Sequence, residues 1–161
     1  MADGPPAFFG SPLFAPAMRV VTRIHVAVFR ATGGRVGGRF RFGSAFPHGV
    51  PVCLLTTRGR KSGKARTCAL IHLPDGDRVV LVASRGGTPR SPQWYFNVLS
   101  QPRVLVRTRG RARRMLAYEA EGDERDALWE RLVALYPEYA AYQSWTDRRI
   151  PVVVCEPPLG A

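Results

Sequence analysis

Residues 50–87 have the sequence VPVCLLTTRGRKSGKARTCALIHLPDGDRVVLVASRGG, and this stretch decides the fold of the chain. Three apolar runs alternate with two short segments: the first, residues 59–63, has two glycines and two basic residues, and the second, residues 74–77, has the sequence PDGD. The runs predict strands over residues 50–57, 66–73 and 78–84. Because connections this short join neighbouring strands that run in opposite directions, the stretch predicts an antiparallel sheet.

Patterns outside this stretch complete the predicted fold. Further strands are predicted over 104–109, 111–118 and 150–155, and helices over 12–32, 92–99, 123–135 and 138–145. Pro151 opens the last strand, a position that suits the edge of a sheet. A sheet of this kind must close on itself or pack against other elements. We therefore expect a mainly β (α+β) protein, a small split antiparallel β-barrel with covering helices.

The chain divides into three predicted parts. Residues 1–11 are rich in proline, glycine and alanine, and we expect them to be flexible. Residues 12–32 form an amphipathic helix with Arg19, Arg23 and Arg30 on one stripe. Two interpretations of this helix stay open: it packs on the barrel, or it lies on an anionic membrane surface. Residues 33–161 form the single barrel domain.

Composition excludes several classes of protein. With 161 residues, 45% of them hydrophobic, the chain can bury one core without disulfides. The same arginines interrupt the N-terminal apolar run, so we expect no membrane-spanning helix. The first ten residues carry Asp3 and no lysine or arginine, which argues against a secretory signal. We expect a cytoplasmic protein, located at the inner face of the cell membrane if the N-terminal helix binds lipid.

The net charge of +12 is unevenly distributed. Residues 1–66 carry +10 and residues 67–114 carry +7, whereas residues 115–161 carry −5. A basic surface favours a polyanionic partner, which is a phosphate-bearing cofactor, an anionic membrane or a nucleic acid. Because 22 of the 24 basic residues are arginine, genome composition explains most of these arginines as well as a basic binding surface does.

The cysteines and histidines predict no metal site. Cys53, Cys68 and Cys155 lie in apolar runs without a CxxC motif, so we expect three buried, reduced thiols and a reducing compartment. The three histidines, at positions 25, 48 and 72, are far apart in the sequence and lack the spacing of metal ligands.

The turn TTRGRKSGKAR at residues 56–66 is the first candidate for chemistry. Its glycines let backbone N–H groups approach an anion closely. Arg60 and Arg66 can bind phosphate or carboxylate oxygens in a forked geometry, Lys61 adds a compact charge, and Ser62 adds a hydroxyl. The spacing is not that of a Walker loop. A solvated basic hairpin without a ligand explains the same residues.

Two aromatic segments are further candidates. Residues 83–87 (ASRGG) and 92–97 (PQWYFN) place a glycine-rich strand end before a helix start, where N–H donors are free, and Trp94 and Asn97 suit a flat heteroaromatic ring. Tyr136, Tyr139 and Tyr142, followed by Trp145, can line one side of a pocket. Packing in the core explains both groups of aromatic residues as well.

Three segments together resemble the deazaflavin-dependent nitroreductase family. They are LLTTRGRKSGKARTCAL at 54–70, LVASRGGTPRSPQWYFN at 81–97 and YPEYAAYQSWTDRRIPVVVCE at 136–156. The resemblance covers about residues 8–157 and implies an FMN-binding split-barrel-like fold. It implies an oxidoreductase that transfers a hydride from reduced coenzyme F-420, an 8-hydroxy-5-deazaflavin, to a menaquinone-like quinone or a nitroaromatic acceptor.

The resemblance also implies roles for individual residues. It assigns coenzyme binding to Arg60, Lys61, Ser62, Arg66, Val82, Ala83, Ser84, Arg85, Gln93, Trp94, Tyr95, Phe96, Asn97 and Tyr139. It assigns the acceptor pocket and catalysis to Ser84, Tyr136, Tyr139 and Tyr142. One position departs from the pattern: the family's quinone- and nitroimidazole-active members have a Pro-Leu-Tyr pattern where this chain has Ala69, Leu70 and Ile71, so a pocket tyrosine is absent at Ile71. Nitroimidazole reduction is therefore in doubt.

Two other functions compete with this prediction. An FMN-dependent split-barrel oxidoreductase differs only in its cofactor. A nucleic-acid-binding barrel explains the charge of +12 but not the acidic C-terminal third or the tyrosines. We expect a small-molecule acceptor and no nucleic-acid partner, and the sequence leaves the oligomeric state open.

Overall fold

The computed structural model describes residues 14–40 and 49–158, with side chains from Val20 onward in the first helix. The predicted flexible segment 1–11 lies outside the described residues. The helices are α1 (Phe14–Ala31), α2 (Gln93–Ser100), α3 (Gly122–Leu135) and α4 (Glu138–Ser144). The strands are β1 (Arg39–Phe40), β2 (Val50–Arg58), β3 (Ala65–Asp75), β4 (Arg78–Val82), β5 (Arg103–Thr108), β6 (Arg111–Glu119) and β7 (Val152–Glu156).

Six strands close into a barrel. Their order is β2-β3-β4-β7-β6-β5, and β2 pairs with β5 to complete the ring. Every neighbouring pair is antiparallel. The two-residue strand β1 adds to β2 outside the ring, opposite Val50 and Pro51. The predicted antiparallel barrel with covering helices is confirmed, whereas β1 falls in a segment that the sequence pattern did not mark as a strand.

Two apolar clusters bury both faces of the sheet. In β4, Val79 and Leu81 belong to the barrel interior, while Val80 and Val82 face an outer cluster that α3 and α4 cover. The strand β7 alternates in the same way. Because successive side chains point to opposite faces, strands buried on both sides appear as unbroken apolar runs in the sequence.

The prediction that the last strand lies at an edge is wrong. Strand β7 lies between β4 and β6, in the middle of the sheet order. Pro151 precedes the strand and contributes its carbonyl, which accepts a hydrogen bond from the Ala83 amide at 2.9 Å. Since that contact needs no N–H group from proline, Pro151 does not exclude a central position.

Helix α1 packs against the barrel through one side only. Phe29 is fully buried, and Arg30 Nη2 donates to Thr67 Oγ1 of β3 at 3.1 Å. The opposite side keeps Val20, Val21 and Ile24 more than half exposed. Within the described residues, no helix is both long and apolar enough to cross a membrane.

Candidate active site

The cationic bend, residues 59–64, joins β2 to β3. The Gly59 amide donates to Lys64 O at 2.9 Å, and the Gly63 amide donates to Gly59 O at 2.7 Å. These bonds fix a tight turn whose side chains point outward. Lys61 and Arg66 are exposed, and neither forms an ion pair in the described part of the chain. The bend and the start of β3 therefore offer positive charge that pairs with no carboxylate of the described residues.

Asn97 of α2 fixes the bend to the barrel. Its Oδ1 accepts a hydrogen bond from the Arg60 amide at 3.1 Å, and its Nδ2 donates to Thr57 Oγ1 at 3.0 Å. Asn97 and Thr57 are both buried. The Arg60 guanidinium lies 4.9 Å from the centre of the Phe96 ring, and its Nη2 is 3.5 Å from Gln93 Oε1. Three residues predicted to contact the coenzyme thus also position the cations.

A cleft of about 400 Å³ lies beside the bend. Its walls come from the bend, from the start of β3 and from α2. The lining residues are Gly59, Arg60, Lys61, Ser62, Arg66, Thr67, Cys68, Gln93, Trp94 and Asn97. We call it the bend cleft.

The loop after β4 is held in an unusual conformation. Arg85 has a φ of 47°, and Gly87 approaches α4 so closely that an added Cβ would lie 2.7 Å from Tyr142 O. Arg148 anchors the loop: its Nη2 donates to Ser84 O at 2.7 Å, and its Nε donates to Thr88 O at 2.9 Å. Burial lowers the pKa of Arg148 from its ordinary value. A backbone in such a conformation persists only where its surroundings enforce it.

Three tyrosines form one aromatic cluster. The ring centres of Tyr136 and Tyr139 are 5.1 Å apart, and Tyr142 lies 6.3 Å and 6.2 Å from them. The hydroxyls of Tyr136 and Tyr142 are 3.5 Å apart. Burial raises the pKa of both Tyr136 and Tyr139 well above the ordinary tyrosine value, so both hydroxyls stay protonated at neutral pH.

A second cleft, of about 590 Å³, lies below these tyrosines. We call it the tyrosine cleft. From the predicted site it contains Val82, Ser84, Arg85, Trp94, Tyr136, Tyr139 and Tyr142. Helix α1 adds Val21, Thr22 and His25, and β3 adds Ala69, Leu70 and Ile71. Trp94 lines both clefts and β3 runs along both, so the two clefts are neighbours, and we refer to them together as the groove.

Comparison with known proteins identifies the family. The model of the F420H2-dependent quinone reductase family matches residues 21–157. The F420H2-dependent quinone reductase Rv1261c of Mycobacterium tuberculosis is 38% identical over 137 residues, which are 82% of this chain and 87% of that protein. The chain belongs to the F420H2-dependent quinone reductase family.

Solved structures agree with this membership. A structure described as F420-H2 Dependent Reductase (FDR-A) is 44% identical, with a TM-score of 0.63, and the match covers 66% of this chain and 94% of that one. A second, described as a domain-swapped dimer, is 37% identical with a TM-score of 0.65 over 88% of this chain and 99% of that one. The resemblance drawn from the three motifs is confirmed.

Family membership decides between the competing functions. As a member of this family, the protein is an oxidoreductase, and its cofactor is reduced coenzyme F-420. The reaction is hydride transfer from that coenzyme to a quinone. The FMN-dependent enzyme and the nucleic-acid-binding barrel gain no support from these relatives.

Three of the predicted residues of this reductase lie outside both clefts. Ala83 is fully buried, and its amide and carbonyl are occupied by Pro151 and Arg148. Tyr95 donates from its hydroxyl to Glu119 Oε2 at 2.5 Å. Phe96 lies beneath the Arg60 guanidinium. These residues support the walls of the groove, and direct contact with the coenzyme stays a prediction for them.

Sequence reasoning missed several residues of the groove. His25 and Phe40 line the tyrosine cleft, Thr67 lines the bend cleft, and Arg148 anchors the loop after β4. No local motif marks them. His25 reaches the groove because its Nε2 bonds Gly37 O at 2.9 Å, a contact between α1 and the glycine-rich segment that follows it.

Proposed function

We propose that the groove binds coenzyme F-420 with its anionic tail against the cationic bend and its ring near Trp94, below the tyrosines. The observation that Trp94 lines both clefts carries this proposal. Arg60, Lys61, Ser62 and Arg66 would hold the phosphate and the oligoglutamate tail. The ring and its side chain would be held by Val82, Ser84, Arg85, Gln93 and Trp94.

The residues present fit such a ligand. Lys61, Arg66 and Arg85 carry charges without an ion pair in the described residues, so an anionic ligand would meet unneutralised cations. The hydroxyls of Ser84 and Tyr139 have no hydrogen-bond partner among the described residues, although both side chains are largely buried. Groups of this kind can orient the polar edge of a flat ring.

The protein's part in the reaction is to position two rings and to stabilise charge. When bound, the coenzyme supplies the hydride. Ser84 and the tyrosines would hold the acceptor over it, which makes the transfer effectively unimolecular. Because burial raises the pKa of Tyr136 and Tyr139, their hydroxyls remain donors to the negative charge that develops on the acceptor oxygen.

The acceptor pocket favours a quinone. Ala69, Leu70 and Ile71 form an aliphatic wall opposite the tyrosines. Ile71 occupies the position where the resemblance implies a tyrosine in quinone- and nitroimidazole-active members. Because the family is one of quinone reductases, we expect quinone reduction, and turnover of nitroimidazoles and other nitroaromatic acceptors stays a prediction.

A steady-state assay tests this assignment. Purified protein should oxidise reduced coenzyme F-420 in the presence of menadione. Lys61→Ala should raise KM for the coenzyme with little change in kcat, and Ser84→Ala should lower kcat with little change in that KM. Lys64→Ala is a matched control, because Lys64 is an exposed cation of the same bend that lines neither the bend cleft nor the tyrosine cleft. Equal effects of Lys61→Ala and Lys64→Ala would contradict the assignment.

We further propose that α1 binds the membrane surface near the mouth of the tyrosine cleft. Val20, Ile24 and Val28 lie at helical spacing and are 55%, 59% and 37% exposed. The exposed arginines Arg23 and Arg30 flank this stripe. An apolar face with basic flanks binds anionic lipid, and this position would place the cleft near a lipid-soluble quinone.

Vesicle flotation tests the membrane proposal. Ile24→Ser should reduce co-flotation with anionic vesicles, whereas Leu99→Ser, which removes an equally exposed leucine from α2, should not. Equal flotation of all three proteins would refute the proposal and leave the reductase assignment intact.

A further inference from the structure

A second basic cavity lies at the far end of the β2–β3 hairpin. It has a volume of about 780 Å³. Five arginines contribute to its lining, namely Arg35, Arg39, Arg78, Arg109 and Arg113. Pro51, at the start of β2, also lines it, whereas the cationic bend follows the end of β2 at Arg58. Seven residues of extended strand separate these two positions by about 23 Å, so this arginine cavity is distinct from the bend cleft, whereas Val52 lines both the arginine cavity and the tyrosine cleft.

The arginines of this cavity exceed the carboxylates that neutralise them. None of the described residues lining the cavity is acidic. Arg78 pairs with Asp75 and Glu124 outside it. Arg113 is 3.4 Å from Asp77, whose side chain is 87% exposed, and exposed pairs of this kind contribute little. Arg35 and Arg109 form no ion pair in the part of the chain that the structure describes.

A rigid glycine-rich segment forms one wall of the cavity. Gly38 lies so close to Gly34 that an added Cβ would be 2.2 Å from Gly34 O. Thr32 Oγ1 accepts a hydrogen bond from the Val36 amide at 3.1 Å, which closes the segment on itself. Residues 32–37 form a hydrogen-bonded turn that ends at Gly38, and the Gly37 amide has no acceptor among the described residues. The wall thus offers one backbone donor in a turn that close backbone contacts hold in place.

The same segment positions one of the arginines. The Gly110 amide, next to Arg109, donates to Gly33 O at 3.0 Å. The Cα of Arg109 would lie 3.1 Å from a Cβ at Gly34, so the two segments are in direct contact. Arg109 on the β5–β6 turn and Arg35 on the glycine-rich segment therefore line the same cavity from different elements.

We propose that the arginine cavity is a second anion-binding site, which takes the phosphate group of a phosphomonoester or phosphodiester. Guanidinium groups bind phosphate oxygens through two parallel hydrogen bonds, and backbone amides of a glycine-rich segment complete such sites. The volume leaves room for the organic part of the ligand. Two sources share this chemistry, namely a soluble phosphate ester and a phospholipid headgroup.

An NMR titration of the full chain with inorganic phosphate tests the site. At constant ionic strength, the amide signals of Gly37 and Gly38 should shift and saturate. The double variant Arg35→Gln/Arg109→Gln should weaken this binding at least tenfold. Arg111→Gln paired with Arg107→Gln is the charge-matched control, because these arginines of β6 and β5 do not line the cavity. The control should change the affinity less than twofold.

The result that overturns the proposal is equally specific. Shifts confined to Gly59 and Gly63 of the bend, or equal losses in the double variant and its control, would show adventitious electrostatic binding. Flotation with phosphatidylglycerol vesicles then distinguishes the sources. Loss of flotation in the double variant assigns a lipid headgroup, and unchanged flotation with lost phosphate binding assigns a soluble ester.

Discussion

Replacing Asn97 should separate the stability of the barrel from the affinity for the coenzyme. Asn97→Ala removes the hydrogen bonds to the Arg60 amide and to the Thr57 hydroxyl. Thr57 is only 2% exposed, so its hydroxyl loses its bond to Asn97 without access to solvent. Leaving a buried polar group unsatisfied costs about 1–3 kcal/mol. With a central value of about 2 kcal/mol, Tm should fall by about 4–8 °C in a chain of this length.

The effect of Asn97→Ala on coenzyme binding follows from loss of the hydrogen bond between the Arg60 amide and Asn97 Oδ1. Without Asn97, the peptide of Arg60 is no longer fixed, and binding must order it. Fixing one backbone residue costs about 1–2 kcal/mol. Since about 1.4 kcal/mol corresponds to a factor of ten, Kd for the coenzyme should rise about tenfold.

Thr57→Val is the matched control for this prediction. It breaks the bond to Asn97 Nδ2 in the buried pair but leaves the bond from the Arg60 amide to Asn97 Oδ1 in place. Tm should therefore fall by a similar amount, while Kd stays within about twofold. Differential scanning fluorimetry measures the first quantity, and titration of coenzyme fluorescence measures the second. If the two variants have the same Kd, Asn97 does not position the bend.

Three further predictions concern titratable groups. Burial lowers the pKa of His72 to about 4, whereas in the unfolded chain the imidazole takes up its proton near the ordinary histidine pKa of 6.5, so the free energy of unfolding should fall by about 2 kcal/mol between pH 7.5 and 5. Urea titrations of His72→Gln should show a smaller loss. Cys68 is half-buried in the wall of the bend cleft, and desolvation raises the pKa of its thiol to about 12, so iodoacetamide at pH 8 should modify it about a thousandfold more slowly than free cysteine; rapid labelling would show that the thiol is not desolvated. Because the pKa of Tyr136 and of Tyr139 is raised, kcat should show no basic limb from these groups below pH 9, as stopped-flow measurements across pH 7–9 can check.

The strands of the barrel could be predicted from the sequence, because each one is identified by an apolar run of a few consecutive residues. The runs in β4 and β7 are apolar at every position, since alternate residues face the interior and the outer cluster. The position of β7 in the sheet was not predictable in the same way. Pairing between β4 and β7 joins residues 70 or more positions apart, such as Val80 and Val154, and only the closed barrel fixes it.

The candidate site likewise combines residues that belong to local motifs with residues whose roles depend on contacts far apart in the sequence. The cationic bend and the three tyrosines carry recognisable motifs, and the structure brings both groups to one groove. Arg148 carries no motif, because its contacts with Ala83 and Ser84 span 65 and 64 positions. Asn97 was predicted as a ligand, but its bonds to Arg60 and Thr57 give it a structural task that depends on how α2 docks on the barrel.

The residues of the bend cleft and those of the tyrosine cleft differ in how much they contribute to the stability of the fold. Tyr136 and Tyr139 are 7% and 4% exposed and belong to the outer cluster that holds α3 and α4 against the barrel. Lys61 on the bend and Arg66 at the start of β3 are exposed. Large-to-small changes in a buried aromatic cluster typically cost about 3–5 kcal/mol, whereas surface changes are usually within about 0.5 kcal/mol. If the coenzyme binds at the bend as proposed, substitutions there can adjust its affinity at little cost in stability, whereas substitutions of the tyrosines must be compensated elsewhere in the outer cluster.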